Sequence, residues 1–192
     1  NANKLMNRFL KDVVANYEAR LASVNGGSLR NAIPRESFVV LSIPEQLSDD
    51  LIDLVAEYES LFREEYAGVE DGISLKAELV DMPTSLIPEE IQDDLINSIE
   101  ASPNGVISML SDFQGVVESS LNLALVESTE GKIEVKYLVR SSSESKKDSV
   151  CSSLESLYSL AGARVIVDGS YPGWQPNANS ELLKSMEMIY LD

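Results

Sequence analysis

The chain contains no histidine and only one cysteine. A Ser-His-Asp triad and a histidine general base are therefore excluded. Hydrolytic zinc sites depend on histidine or cysteine ligands, and a single thiol cannot build one. With Cys151 as its single cysteine, the chain cannot form an internal disulfide, and the lack of disulfides is typical of proteins in the reducing cytoplasm. We expect the Cys151 thiol to pack against apolar neighbours. We therefore predict no catalytic residue and no metal ligand within this chain.

Basic residues are also scarce, since 15 lysines and arginines face 32 aspartates and glutamates and leave a formal charge of −17. A surface of this sign repels phosphate backbones and anionic lipids, so nucleic acids and membranes are poor partners. No apolar run is long enough to span a bilayer, and no signal peptide is visible. Carboxylates alone can hold magnesium or calcium, but no segment has the ordered loop of such a site. The composition predicts a cytoplasmic protein.

Both ends of the sequence fall inside apolar-periodic runs. Asn1 opens one run without a preceding methionine, and Asp192 lies in another. With 192 residues, 44% of them apolar, the chain can fill the core of one domain or of two small ones. We expect a folded segment of a longer protein.

Apolar periodicity divides the chain into helices and strands. Helical spacing predicts helices over residues 3–24, 48–66, 88–99 and 145–161, with another from about residue 180. Alternation predicts strands over residues 28–34, 37–43, 73–79 and 164–168, and a strand or an irregular segment over 106–114.

The predicted elements repeat along the chain. Residues 3–80 and residues 88–168 each follow the order helix, strand, strand, helix, strand. An antiparallel sheet with two helices on one face accounts for each half. The predicted fold is α+β, with two ferredoxin-like sandwich halves in tandem. We place the first half at residues 1–82, the second at 83–170, and a connector with the start of a further segment at 171–192.

Residues 115–143 carry a clear local pattern. Two runs of alternating apolar and polar residues flank the loop 127–131, and this arrangement predicts a β-hairpin with one buried face. Arg140 stands at the end of the second run, on the face opposite Val139. Its guanidinium can bind a carboxylate through two parallel hydrogen bonds. The alternative is a solvated arginine at a strand end, which composition alone favours.

Four short segments stand out as motifs. They are residues 25–36 (NGGSLRNAIPRE), 102–107 (SPNGVI), 115–122 (GVVESSLN) and 171–176 (YPGWQP). In the same order, they resemble motifs of the bacterial aminoacyl-histidine dipeptidases, also called Xaa-His dipeptidases, peptidase D or cytosolic non-specific dipeptidases. The resemblance covers essentially the whole chain, and four motifs in order are far more specific than a lone Asn-x-Ile-Pro.

The resemblance implies one domain of a larger hydrolase. Members of that family carry a catalytic domain with two zinc or similar divalent ions and an inserted lid or dimerisation domain. By this resemblance the chain is the lid of a zinc-dependent cytosolic dipeptidase that hydrolyses Xaa-His and other dipeptides, with a few residues of the catalytic domain after Trp174. The metal ligands, the glutamate base and a substrate-binding histidine then lie elsewhere, so the fragment alone is inactive and holds no cofactor. The implied partners are a dipeptide, the protein's own catalytic domain and a second copy in a homodimer.

The resemblance also implies roles for two residues. Asn31 falls on the asparagine of the Asn-x-Ile-Pro motif, which faces the active site and hydrogen-bonds the substrate; without the resemblance it is a turn-forming asparagine. Arg140 falls on the lid arginine that holds the C-terminal carboxylate of the substrate. Single-unit lids carry both residues in one unit, whereas here residues 38–44 contain no arginine and Arg140 lies in the second half. We expect each half to have kept one role, so that the duplicated lid mimics two lids of a dimer.

A second hypothesis is a stand-alone protein-binding or dimerisation module without catalysis. Coding sequence beyond residues 1 and 192 distinguishes the two hypotheses. Paired histidine and acidic ligands on both sides support the peptidase, and their absence supports the stand-alone module.

Overall fold

The computed structural model describes residues 1–177 and 179–191. Its helices are α1 (Ala2–Asn16), α2 (Ser48–Glu65), α3 (Glu89–Ala101), α4 (Glu144–Leu160) and α5 (Glu181–Leu191), with a 3-10 turn at Glu45–Leu47. Its strands are β1 (Arg20–Gly26), β2 (Ser37–Ser42), β3 (Gly105–Met109), β4 (Val117–Thr129) and β5 (Lys132–Ser141). None of the described helices is long and apolar enough to cross a membrane.

The strands form an open antiparallel sheet in the order β2-β1-β4-β3, and β5 also pairs with β4. β1 pairs along its length with β2, which places Val24 opposite Val39. The end of β1 meets the C-terminal part of β4, where Gly26 lies opposite Val126. β3 pairs with the N-terminal part of β4. The predicted α+β class is confirmed, as five antiparallel strands and five helices in the described part of the chain.

The chain divides into two compact units. The first comprises residues 1–101 and 123–137, and the second comprises residues 102–122 and 138–192. β4 and β5 therefore run from one unit into the other. The predicted halves at residues 1–82 and 83–170 and the connector at 171–192 were derived from the repeat of elements, and this division stays a prediction.

One apolar core holds the first unit together. It includes buried side chains from five elements: Phe9, Leu10, Val13, Leu21, Val24, Leu54, Val55, Leu95, Ile96, Ile99, Leu123 and Val126. Each fully buried side chain of this kind contributes roughly 1.5–3 kcal/mol to folding. α1 reaches this core because its buried apolar residues recur at helical spacing on one face.

Buried polar side chains fix β1 and α1 against α3. Gln92 is buried, and its Oε1 accepts a hydrogen bond from the backbone N–H of Leu21 at 2.7 Å. Its Nε2 donates to the carbonyl of Ala19 at 3.4 Å. Asn7 of α1 donates from Nδ2 to the carbonyl of Ile96 at 3.1 Å. Because an unpaired buried polar group costs about 1–3 kcal/mol, these pairings resist any shift of β1 along α3.

The first predicted helix is too long. α1 ends at Asn16, and residues 20–26 form β1 instead of the last turns of a helix over 3–24. The chain changes direction at Glu18, whose φ of 52° is left-handed. Leu21 keeps the helical spacing of the apolar residues and is buried, so the periodicity alone conceals the change. The backbone of β1 pairs with β2 instead, and this long-range pairing overrides the local pattern.

Three predicted strands are also wrong. Residues 28–34 form a turn, and residues 73–79 and 164–168 pair with no other strand in the described chain. Near the start of 73–79 the backbone is bound by side chains of α2. Arg63 Nε donates to the carbonyl of Ile73 at 2.7 Å, and the N–H of Leu75 donates to Glu59 Oε2 at 2.8 Å. A period-two pattern predicts which side chains share a face, but it does not predict whether another strand is available for backbone pairing.

The predicted hairpin is confirmed, with a shorter turn than expected. β4 continues through Thr129, so the turn consists of Glu130 and Gly131 instead of residues 127–131. Gly131 has a φ of 75°. Two-residue hairpin turns need positive φ, which glycine adopts at little cost.

An aromatic contact joins α1 to α2. The ring of Tyr58 lies edge-on to Phe9 with centroids 5.4 Å apart, and its hydroxyl donates to Asp12 Oδ2 at 2.8 Å. Burial raises the pKa of Tyr58 to about 12, and the hydrogen bond to Asp12 adds to the shift. The hydroxyl is thus held protonated well above its usual range near 10.

This shift predicts a loss of stability in alkali. Because the pKa of Tyr58 is higher in the folded state than in the unfolded state, its contribution is present below pH ~10 and is lost as the pH rises toward ~12. An absorbance titration of tyrosinate, with Tyr58→Phe as the difference reference, should show one tyrosine that titrates near pH ~12. Asp12→Asn should lower this midpoint, since it removes the carboxylate. A Tyr58 midpoint near the ordinary value would contradict the prediction.

Candidate substrate-binding site

Asn31 lies at the tip of the loop that joins β1 to β2, in the first compact unit. The loop turns tightly here, because the N–H of Ala32 donates to the carbonyl of Leu29 at 3.2 Å. Arg30 and Asn31 are the two central residues of this turn, and both are exposed. The structure therefore presents the Asn31 amide on a short turn, open to a ligand.

The strand that leads into this loop is bound to β4 by side chains. Asn25 Oδ1 accepts a hydrogen bond from the N–H of Ser128 at 3.0 Å. The hydroxyl oxygen of Ser128 accepts one from the N–H of Val24 at 2.8 Å. The backbone ladder between β1 and β4 has only two residue pairs, and these two side-chain hydrogen bonds extend the contact beyond it. The entry to the Asn31 loop is thus fixed by the sheet.

Arg140 lies at the last residue but one of β5, in the second unit, and its side chain is exposed. Its position opposite Val139 is as expected for an alternating strand. Its guanidinium forms no ion pair with the acidic residues of the described chain, although seven other basic residues do so. An exposed guanidinium without a protein carboxylate has its donors available for another carboxylate.

The backbone that follows Arg140 is held from several sides. The hydroxyls of Ser119 and Ser141 lie 2.8 Å apart, and the N–H of Ser142 donates to the carbonyl of Glu118 at 3.0 Å. The N–H of Ser143 donates to the hydroxyl oxygen of Ser141 at 3.1 Å. Three hydrogen bonds therefore fix the backbone that directly follows Arg140.

Glu118 strengthens this corner of the second unit. Its carboxylate accepts hydrogen bonds from the Lys146 ammonium and from the Ser108 hydroxyl, the latter at 3.0 Å. The bond from Lys146, and then that from Ser108, lower the pKa of Glu118 below its usual range. The carboxylate thus links β3 and α4 to the N-terminal end of β4, where Ser119 also lies.

The connector at residues 171–176 is fixed to the same corner. The N–H of Gly173 donates to Glu144 Oε1 at 2.6 Å, and Lys147 Nζ donates to the carbonyl of Tyr171 at 2.9 Å. A Cβ placed on Gly173 would lie 2.4 Å from the carbonyl oxygen of Ser141. Only glycine fits this close approach of two backbones.

The two candidate residues supply hydrogen-bond donors and no reacting group. A guanidinium binds a carboxylate in a bidentate manner, and an amide can donate to a carbonyl oxygen while it accepts from a neighbouring N–H. Within residues 1–177 and 179–191, no group of three or more His, Cys, Asp or Glu side chains is placed to hold a metal ion. The two side chains can thus bind and orient a carboxylate and a carbonyl oxygen.

Sequence reasoning missed the residues that hold Arg140 in place. Glu118 and Ser119 lie in the motif of residues 115–122, but nothing in that motif marks either as a partner of Lys146 or Ser141. The single available signal was Gly173, because a glycine after proline in an otherwise stiff connector indicates a close backbone approach or a turn.

Residues 1–70 match the peptidase dimerisation domain family. Over 190 residues, which is 99% of its length, the chain is 40% identical to the cytosol non-specific dipeptidase of Escherichia coli (strain K12). The chain spans 39% of that relative.

A solved structure has the same fold. The crystal structure of aminoacylhistidine dipeptidase from Vibrio alginolyticus matches the whole chain with a TM-score of 0.96 and 38% sequence identity. The match covers 39% of that protein. Both comparisons agree with the resemblance carried by the four sequence motifs.

Proposed function

Given that residues 1–70 match the peptidase dimerisation domain family, we propose that this chain is the lid of a zinc-dependent dipeptidase that hydrolyses Xaa-His and other dipeptides. The observation that carries the proposal is the 40% identity to a dipeptidase over 99% of the chain. Because the chain spans 39% of that relative, the remaining part of the full-length protein has room for a separate catalytic domain.

In this proposal the lid binds the substrate and the catalytic domain cleaves it. Arg140 holds the free carboxylate at the C-terminal end of the dipeptide, and Asn31 donates to its carbonyl oxygen. A rigid guanidinium at a strand end measures the distance from the scissile carbonyl to that carboxylate better than a flexible lysine does. An amide that donates to the carbonyl oxygen also stabilises the negative charge that develops there in the transition state.

The donor set of this chain does not fit a zinc site, because it offers no histidine and one cysteine. We assign the two zinc or similar divalent ions, their ligands and the general base to the catalytic domain. Leu182, Ile189 and Tyr190 of α5 are exposed. Their exposure supports a contact between the C-terminal part of this chain and that domain.

We further propose a cytoplasmic homodimer. The cytoplasmic assignment rests on the single cysteine and on the cytosol named for the relative. The homodimer rests on the dimerisation family matched by residues 1–70. The formal charge of −17 supports the absence of nucleic acid and anionic membrane among the partners.

The isolated chain should fold but should neither hydrolyse dipeptides nor bind stoichiometric zinc. The physical reason is the missing ligand set, since carboxylates without histidine or cysteine partners bind zinc poorly. Elemental analysis and a dipeptidase assay of the purified chain, with the full-length protein as the positive control, test both statements. One tightly held zinc ion per chain would overturn the assignment. A full-length protein with no dipeptidase activity would instead favour the stand-alone binding module.

A further inference from the structure

The near end of the Asn31 loop is pressed against β4 at Gly27. This residue has a φ of 81°, in the left-handed region that side chains disfavour. A Cβ at this position would lie 2.0 Å from the carbonyl oxygen of Ala124 and 3.3 Å from the Cα of Leu125. These are backbone atoms of a strand, so they cannot rotate away. Gly27 is thus required both for its conformation and for the close approach.

The far end of the same loop is tied to β4 through the start of α1. The carbonyl of Pro34 accepts a hydrogen bond from the N–H of Ala2 at 3.0 Å. The neighbouring Asn1 donates from Nδ2 to the carbonyl of Leu123 at 2.9 Å. Pro34 itself is buried, in contrast to the exposed residues before it.

The near end of the loop therefore contacts β4 at Ala124, and the far end is linked through the start of α1 to the neighbouring residue Leu123. Leu123 and Ala124 are both fully buried, so the strand offers a fixed base for the loop. We propose that Gly27 and Asn1 are positioning residues, which set the place of Asn31 by holding both ends of its loop on β4. This inference rests on the proposed function, because it assigns to Asn31 the contact with the substrate carbonyl. It names residues that touch no substrate and act through Asn31.

The expected effect of losing this anchorage is on the chemical step. An added methyl group at Gly27 cannot share the space of the Ala124 carbonyl, so the loop must move away from the strand by an ångström or more. A misplacement of about 1 Å in a group that acts on the reacting carbonyl costs on the order of a hundredfold in rate. Because Asn31 acts on charge that develops in the transition state, kcat should fall while KM changes little.

The test is Gly27→Ala in the full-length protein, assayed on a Xaa-His dipeptide. The matched control is Gly68→Ala. Gly68 is left-handed like Gly27, with a φ of 75°, but a Cβ there meets nothing within 4 Å. We expect kcat to fall on the order of a hundredfold for Gly27→Ala and less than about twofold for Gly68→Ala. Similar losses in the two variants would assign the effect to backbone strain and overturn the proposal.

A double-mutant cycle separates positioning from general damage. In the background of Asn31→Ala, Gly27→Ala should cost less than about threefold more, because the group that it positions is already absent. Full additivity of the two losses would overturn the proposal. So would wild-type kcat for Gly27→Ala alongside an impaired Asn31→Ala. Wild-type activity of Asn31→Ala would instead show that the substrate contact assigned to Asn31 is wrong, and the inference would fall with it.

A second variant decides the matter if Gly27→Ala does not fold. Asn1→Ser keeps a side-chain oxygen that caps α1, as Asn1 does for the N–H of Lys4, but serine is too short to reach Leu123. We expect a loss of about tenfold in kcat with the melting temperature nearly unchanged, and no further loss in the Asn31→Ala background. Wild-type kcat in Asn1→Ser would contradict an anchor at this end.

Discussion

Replacing Arg140 with alanine in the full-length protein should lower kcat/KM for dipeptides by roughly 2–5 kcal/mol, which is about thirtyfold to several thousandfold. The loss is this large because a desolvated substrate carboxylate would be left without its charged partner. The side chain of Arg140 is exposed and forms no ion pair with described residues, so the folded state should be unaffected. Equal melting temperatures for variant and wild type would establish this.

The controls address the carboxylate directly. A dipeptide with an amidated C-terminus offers no carboxylate, so wild type and Arg140→Ala should differ little on it. Arg140→Lys should recover only part of the loss on free dipeptides, since an ammonium cannot reproduce the planar pair of donors. Lys136→Ala removes a cation from the same face of β5 and should be nearly silent. An equal loss on amidated and free dipeptides would rule out carboxylate recognition.

Replacing Phe62 with alanine should destabilise the chain by about 3–5 kcal/mol. Phe62 is only 2% exposed, and its ring lies edge-on to Tyr58 with centroids 5.5 Å apart. The guanidinium of Arg8 lies 5.6 Å from the centre of the same ring, so the substitution also removes a cation–π contact. Denaturant unfolding monitored by circular dichroism measures the loss.

The matched control for Phe62 lies in the same helix. Ile52 of α2 is 51% exposed, so Ile52→Ala should change the free energy of unfolding by no more than about 0.5 kcal/mol. A comparable loss from both substitutions would mean that α2 responds to helix propensity and not to the burial of Phe62.

Periodicity predicted the elements whose partners are close in sequence. The helical spacing of α2 and α4 and the alternation of β4 and β5 all appear as expected, because amphipathic faces and a hairpin are local properties. The prediction failed where a distant partner decides the structure. β1 took over the end of the first predicted helix because β2 and the side chain of Gln92 bind its backbone. Residues 164–168 alternate like a strand but pair with none in the described chain.

The candidate site was predictable only in part and for a different reason. Asn31 was identified by its resemblance to a known motif. Alternation had already placed Arg140 at a strand end, and the resemblance supplied its substrate role. The residues that hold them in place could not be predicted from the sequence. Gly27 contacts Ala124, nearly a hundred residues away in the sequence, and Ser141 contacts Ser119 across a hairpin. Such contacts depend on the register between strands, which a single sequence does not specify.

The attachment of the Asn31 loop to β4 also limits how this part of the chain can vary in length. Surface loops ordinarily accept insertions at small cost, because closing a longer loop costs little additional entropy. Residues 28–33 are different, since Gly27 is pressed against Ala124 of β4 and Pro34 is hydrogen-bonded to the start of α1, where Asn1 in turn binds Leu123 of β4. One residue more or less between them would move the tip of the turn without loosening either end. We therefore expect homologues to change residue types in this loop far more readily than its length.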